Sequence, residues 1–131
     1  IKICSLAGVL SFVASPKGYE PPFPSDANEI CITNDPSDAI KNADIVYTDV
    51  WASMGQENSK KERAEAFQNF CITPELFALA KKDAIFMHCL PAHRGEEVSA
   101  DVVDGPQSVI FDQAENRLHA QKALLIKLLG S

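Results

Sequence analysis

The chain has 131 residues, 46% hydrophobic and 23% charged, an ordinary globular composition for a single domain. Twelve basic residues against eighteen acidic ones leave a net charge of −6, whereas a nucleic-acid-binding module would carry a clustered basic surface. Uninterrupted apolar runs are a few residues long, well short of the roughly 20 that a membrane span needs, so no transmembrane helix is expected.

The first residues, Ile1-Lys2-Ile3-Cys4-Ser5-Leu6-Ala7-Gly8, lack a start methionine and a signal-peptide pattern, and read like the interior of a longer polypeptide. Cys4, Cys31, Cys71 and Cys89 form no C-x-x-C pair. Thiols so sparsely spaced favour a reduced, cytoplasmic protein over a disulfide scaffold.

Residues 1–8 are compatible with a helix, and a short strand is expected over 12–15. Four prolines within 16–24 deny that segment a helix's hydrogen bonds and make it a loop. A strand follows at 29–33. Asp35 then caps a short helix whose first position is Pro36. Residues 44–49 read as a buried strand, 62–69 as a helix, and Thr73-Pro74-Glu75 repeats the cap-plus-proline device. A fourth strand is expected at 84–88 and a fifth at 108–111. In the last helix, Asp112 and Glu115 resemble a capping box. Leu118, Leu124, Leu125, Leu128 and Leu129 form one apolar stripe, and Gly130 can end the helix. Strands alternating with helices predict an α/β domain with a mostly parallel sheet covered by helices.

In such sheets ligands bind beyond the carboxyl ends of the strands. Three expected strands turn there from apolar residues to reactive ones. The strand at 44–49 runs into Asp49, Trp51, Ser53 and Met54; the strand at 84–88 into Cys89, His93 and Arg94; the strand at 108–111 into Asp112, Glu115 and Arg117. Each residue alone is more often a cap, core filler or solvated charge, and the coincidence at one rim is what points to a site. A zinc site at His88, Cys89 and His93 lacks a fourth ligand, and neighbours on a strand point apart. No glycine pattern for nucleotide phosphates is present. Cys89 with His93 could be a nucleophile pair, but no orienting residue is evident from spacing. His119 reads as a surface or packing residue of the last helix.

The segments Asp49-Val50-Trp51-Ala52-Ser53-Met54-Gly55-Gln56-Glu57, Met87-His88-Cys89-Leu90-Pro91 and Asp112-Gln113-Ala114-Glu115-Asn116-Arg117, with Pro16-Lys17-Gly18-Tyr19-Glu20-Pro21, together resemble the ornithine carbamoyltransferase family. The likeness runs over nearly the whole chain in the right order. It implies that residues 1–131 are the second, ornithine-binding domain, Rossmann-like, with helices on both faces of the sheet. Implied roles are ornithine binding by Asp49, Ser53 and Met54, proton acceptance by Cys89, and carbamoyl phosphate contacts from Cys89, Leu90 and Arg117. The implied reaction makes citrulline and phosphate from ornithine and carbamoyl phosphate, as in arginine biosynthesis. It needs no cofactor or metal, and the implied assembly is a homotrimer with no nucleic-acid or membrane partner.

The chain departs from the family in lacking the first domain with its carbamoyl phosphate loop, the His-Pro-x-Gln segment and the ornithine-contacting asparagine. The 131 residues alone are therefore expected to be inactive, with the missing domain as a partner. A helix between Pro24 and Ile30 is too short for three turns. The family's first strand of this domain is also missing, and because such a strand lies centrally, the strands at 12–15 and 44–49 should face a gap. The alternatives are a carbamoyltransferase for another amine, against which Ser53-Met54-Gly55 speaks, and a non-catalytic amino-acid-binding or interaction module.

Overall fold

The computed structural model describes residues 6–22, 30–52 and 60–130. Within these the chain forms β1 (Ser11–Ala14), β2 (Ile30–Thr33), α1 (Pro36–Ile40), β3 (Ile45–Thr48), α2 (Lys60–Phe67), α3 (Pro74–Phe77), β4 (Ile85–His88), α4 (Ala100–Val103) and α5 (Ile110–Leu129), with a single 3₁₀ turn at Gln68–Phe70 after α2. Four strands thus lie close to the expected positions. The expected helix at 1–8 falls mostly outside the described residues, and the shortened segment at 24–30 almost wholly so.

Both proline-opened helices start as their sequences dictate. The Asp35 carboxylate accepts from the Ser37 N–H, and the Thr73 hydroxyl from the Leu76 N–H, which satisfies a backbone donor that the first turn leaves unpaired. Proline costs nothing in these first turns because its missing N–H would have had no helical partner.

The strand at 108–111 is not formed. Ser108 makes one parallel bridge to Phe86, and α5 begins at Ile110. A short apolar run cannot distinguish a strand from a buried helix start; here Ile110 is 2% exposed and packs in the core as the first helical residue. The capping box fails for the same reason. Val109 is the N-cap, without a side-chain bond, and Asp112 sits inside the first turn, where its charge faces the positive end of the helix dipole. Gly130 does end the helix. The apolar stripe is present but uncovered among the described residues: Leu118, Leu124, Leu125, Leu128 and Leu129 are all exposed.

Every ladder is parallel, as expected, but the strands form two pairs, β1 with β2 and β3 with β4. The expected gap is therefore present. A cavity of about 360 Å³ lies between β1 and β3, lined by Phe12 and Ala14 on one side and Ile45, Val46 and Tyr47 on the other, with Ala39 and Ile40 of α1 beside them. The core lies on the β3–β4 side, where Phe86, Val98 and Val103 are fully buried against Val46, Ile72, Val102 and Ile110.

Two measurements check this arrangement. Phe86→Ala empties the centre of the core and is expected to cost about 3–5 kcal/mol in denaturant unfolding. In amide exchange, the backbone N–H groups of Phe12 and Tyr47, which face the gap, should exchange faster than those of Val13 and Val46, which face their ladder partners.

Candidate active site

β3 and β4 run in parallel with Thr48 opposite His88. One step beyond this register the two strands deliver Asp49 and Cys89 side by side at their carboxyl ends. The Cys89 thiol donates to Asp49 Oδ1 at 2.9 Å, and the same oxygen accepts from the Val50 N–H at 2.7 Å. Two of the residues expected at the rim are thus in direct contact.

Partial burial raises the Cys89 pKa above that of a free thiol, and Asp49 raises it further by accepting the thiol hydrogen bond and by its negative charge. Without substrate Cys89 is therefore a protonated donor at neutral pH. Tyr47 joins the group: its hydroxyl approaches both Cys89 and Gln113, and burial, followed by the charge at Cys89, pushes its pKa upward. Gln113 of α5 also accepts the His88 N–H through Oε1 at 3.0 Å. That bond ties the end of β4 to the first turn of the helix.

After Cys89 the backbone turns sharply. Leu90 lies at φ 59°, in the left-handed region, where a residue with a Cβ is held at a cost of roughly 1–2 kcal/mol. Its N–H donates to His88 Nδ1 at 2.8 Å. Beyond Asp49 on the β3 side stands an aromatic wall that lines the same cavity as β3. Phe67 packs edge-on to Tyr19 at 5.1 Å and lies 6.2 Å from Trp51; Arg63 caps Tyr19 at 5.4 Å and donates to the Trp51 carbonyl at 3.2 Å. The Pro16-to-Pro22 loop is tied to Asn34, just after β2, through Glu20, which accepts from Gly18 N–H and from the Asn34 side chain.

Other rim residues lie elsewhere. Arg94 is engaged in a two-pronged pair with Asp104, at 2.7 and 2.6 Å. Arg117 is exposed two turns into α5, which starts at Ile110. Among the described residues no hydrogen bond or ion pair holds it. His119 is exposed, 3.6 Å from Glu115. Ser53 and Met54 fall outside the described residues.

Sequence reasoning does not single out Tyr47, Gln113 or Glu97. Tyr47 is signalled only by its place two residues before Asp49 on the same strand face. Glu97 has no signal, since nothing local marks which of Glu96 and Glu97 is buried. His93, Glu96 and Glu97 bring ligand-type atoms within 4.8 Å of one another, a spacing an ion could use. Two of these groups already have partners: Glu96 pairs with Lys60 at 3.3 Å, and Glu97 accepts the His93 N–H.

Comparison with known proteins places this geometry. The family profile described as aspartate/ornithine carbamoyltransferase, Asp/Orn binding domain, matches residues 1–128. The ornithine carbamoyltransferase of Wolinella succinogenes is 52% identical over 136 residues, covering 94% of this chain and 44% of that protein. That of Nitrosococcus oceani is 58% identical over 120 residues, 89% of this chain and 40% of that protein. The chain therefore spans less than half the length of these relatives. Among solved structures, the Pyrococcus furiosus ornithine carbamoyltransferase superposes with a TM-score of 0.81 at 48% identity, covering 93% of this chain and 44% of that one. The anabolic enzyme of Campylobacter jejuni gives 0.86 at 36% identity, covering 95% and 45%.

The Asp49–Cys89 contact makes a prediction about reactivity. Alkylation of Cys89, followed residue by residue by mass spectrometry, should show a pH midpoint above that of an ordinary thiol. Asp49→Asn removes the charge but leaves the burial, so the midpoint should fall part of the way back and alkylation at neutral pH should quicken.

Proposed function

The chain belongs to the aspartate/ornithine carbamoyltransferase family, and from that premise we propose that it forms the ornithine-binding half of an enzyme that carbamoylates ornithine. The observation that carries this reading is the Asp49–Cys89 pair at the ends of adjacent parallel strands. It joins a fixed anion for an α-ammonium to a proton-exchanging group for an amine on the same molecule.

The side-chain amine of ornithine resembles that of lysine, with a pKa near 10.4, and only its neutral form can attack a carbamoyl carbon. Deprotonating it near pH 7–8 costs on the order of 4 kcal/mol. Asp49 binds the α-ammonium and fixes the distance to the reacting end, with Ser53 and Met54 completing the amino-acid pocket. That pairing also offsets the negative charge that holds the thiol proton, so binding ornithine favours loss of the Cys89 proton to solvent. The thiolate then accepts the proton of the side-chain ammonium. The freed amine forms its bond to the carbamoyl carbon as the bond to the phosphate oxygen breaks, and the proton still in excess on that nitrogen passes to the departing phosphate, giving citrulline and phosphate. Leu90 and Cys89 line the carbamoyl phosphate side. Arg117, exposed on α5, supplies a guanidinium whose planar fork suits phosphate oxygens. The proposed chemistry uses neither metal nor organic cofactor.

The remaining phosphate-binding groups come from a carbamoyl-phosphate domain outside these 131 residues, and the working assembly is proposed to be a homotrimer. Cys31, Cys71 and Cys89 are free thiols, which suits a reducing cytoplasm. Among the described residues no helix is long and apolar enough to cross a membrane.

Steady-state kinetics on the full polypeptide test the assignments. Asp49→Asn removes a charge-assisted contact of about 1.5–3 kcal/mol and should raise the ornithine KM by roughly ten- to a hundred-fold. Cys89→Ser should lower kcat and displace its pH profile, because a hydroxyl is a far poorer proton acceptor. An unchanged KM in the first variant would contradict the role of Asp49, and an unchanged kcat in the second would contradict that of Cys89.

A further inference from the structure

We infer that Glu97 is a positioning residue, whose buried carboxyl group clamps both ends of the 88–93 turn and so sets where Cys89 stands relative to Asp49. The clamp itself is independent of the activity; only its consequence for turnover rests on the carbamoyl-transfer reading above.

Glu97 is fully buried, although it lies only eight residues beyond an exposed thiol in a polar stretch. At one end of the turn, its Oε1 accepts the His93 N–H at 2.6 Å. At the other end, the same oxygen lies 3.2 Å from Nε2 of His88, whose ring is also fully buried. The ring's other nitrogen, Nδ1, accepts the Leu90 N–H, so the ring proton is on Nε2, which lies beside the Glu97 carboxylate without an aligned hydrogen bond to it. The left-handed Leu90 is therefore held by His88, and His88 is backed by Glu97. The carboxyl group is itself anchored. The Glu97 carbonyl accepts from Ile72 N–H at 3.0 Å, the Ile72 carbonyl accepts from Ser99 N–H at 3.0 Å, and Gly95 N–H donates to the Val98 carbonyl at 2.8 Å. These bonds fix the Glu97 backbone against the core beside Val98.

A buried acid is costly unless its partners are fixed. A hydrophobic residue of similar size would fill this volume at least as well, but it could not hold a backbone N–H on one side and an imidazole on the other. Neither Glu97 nor His88 touches the Asp49–Cys89 contact directly. They act through the geometry of Leu90 and the course of the chain past Cys89.

The test is thiol reactivity in the full polypeptide, with Cys31 on β2 as the internal control. Cys71 is unsuitable, because burial and then the charge of Glu97 raise its own pKa. In Glu97→Ala the turn loses both holds, Cys89 loses its contact with Asp49, and its alkylation at pH 8 should rise about ten-fold with Cys31 unchanged. Glu97→Gln keeps an acceptor for the His93 N–H and should return the Cys89 rate to within about three-fold of the parent. Glu97→Asp, one methylene shorter, should behave like the alanine variant while remaining soundly folded, which keeps the test alive if alanine prevents folding. Turnover should follow the same order through kcat, with ornithine KM largely preserved. An unchanged Cys89 rate in the aspartate variant, or a parallel rise at Cys31, would overturn the assignment. A parent protein that makes no citrulline would overturn the carbamoyl-transfer reading instead, and the thiol result would still decide the role of Glu97.

Discussion

The parallel register of β3 and β4 is the constraint on which the site depends. Thr48 opposite His88 means that the residues leaving the two strands, Asp49 and Cys89, emerge on the same edge at adjacent positions. In an antiparallel pair these two strand ends would lie at opposite edges of the sheet. A shift of one residue would turn each side chain to the other face. The register is held from below by Phe86 and Val46, which pack in the core, and from the side by the Phe86 bonds to the Gln107 carbonyl and from Val109 N–H. The chemistry of the rim is thus fixed by apolar packing several ångströms beneath it.

On that frame three titratable groups share one rim, and Asp49 supplies its negative charge. Tyr47 and Cys89 both have raised pKa values, and each is raised first by burial and then by an acidic neighbour. Asp49 is the group whose charge the others must accommodate. A cation entering this region meets the charge of Asp49, exposed at the strand end with one oxygen already oriented by Val50 N–H and the Cys89 thiol. The arrangement is therefore selective for a positively charged ligand before any substrate is named.

How far the sequence discloses this depends on the range of the forces involved. The helix starts at Asp35-Pro36 and Thr73-Pro74 are legible because capping is a contact between residues two or three apart. The strands at β1 to β4 are legible because a short apolar, β-branched run bounded by polar residues has few other uses. Residues 108–111 show the limit: the same kind of run became one bridge and a helix start, because Ile110 is buried against a core assembled from distant segments. That two-residue shift also dissolved the capping box. The contact of Asp49 with Cys89 could be anticipated, since both lie at strand ends in a parallel sheet. The burial of Glu97 could not, because it depends on the ladder from Ile72 to Val98, across more than twenty residues of chain.

The raised thiol pKa is compatible with a proton-accepting role and sharpens it. An acceptor is effective when its own proton affinity approaches that of the group it deprotonates. An ordinary thiol, near 8.5, lies about two units below an amine of the lysine type, so transfer from the ammonium runs uphill by roughly 2.6 kcal/mol. Burial and Asp49 move Cys89 toward the amine and shrink that difference. The same shift would leave the thiol protonated and idle if the field of Asp49 were permanent. It is not, because Asp49 is exposed and is the group that an α-ammonium would pair with. In the proposed reaction, burial, which would stay after ornithine binds, would keep the thiolate a strong base, while the charge, which ornithine would offset, would control when the thiolate forms. The two causes of one pKa shift thus act at different stages, and this separation requires Cys89 and Asp49 to be in contact before the substrate arrives.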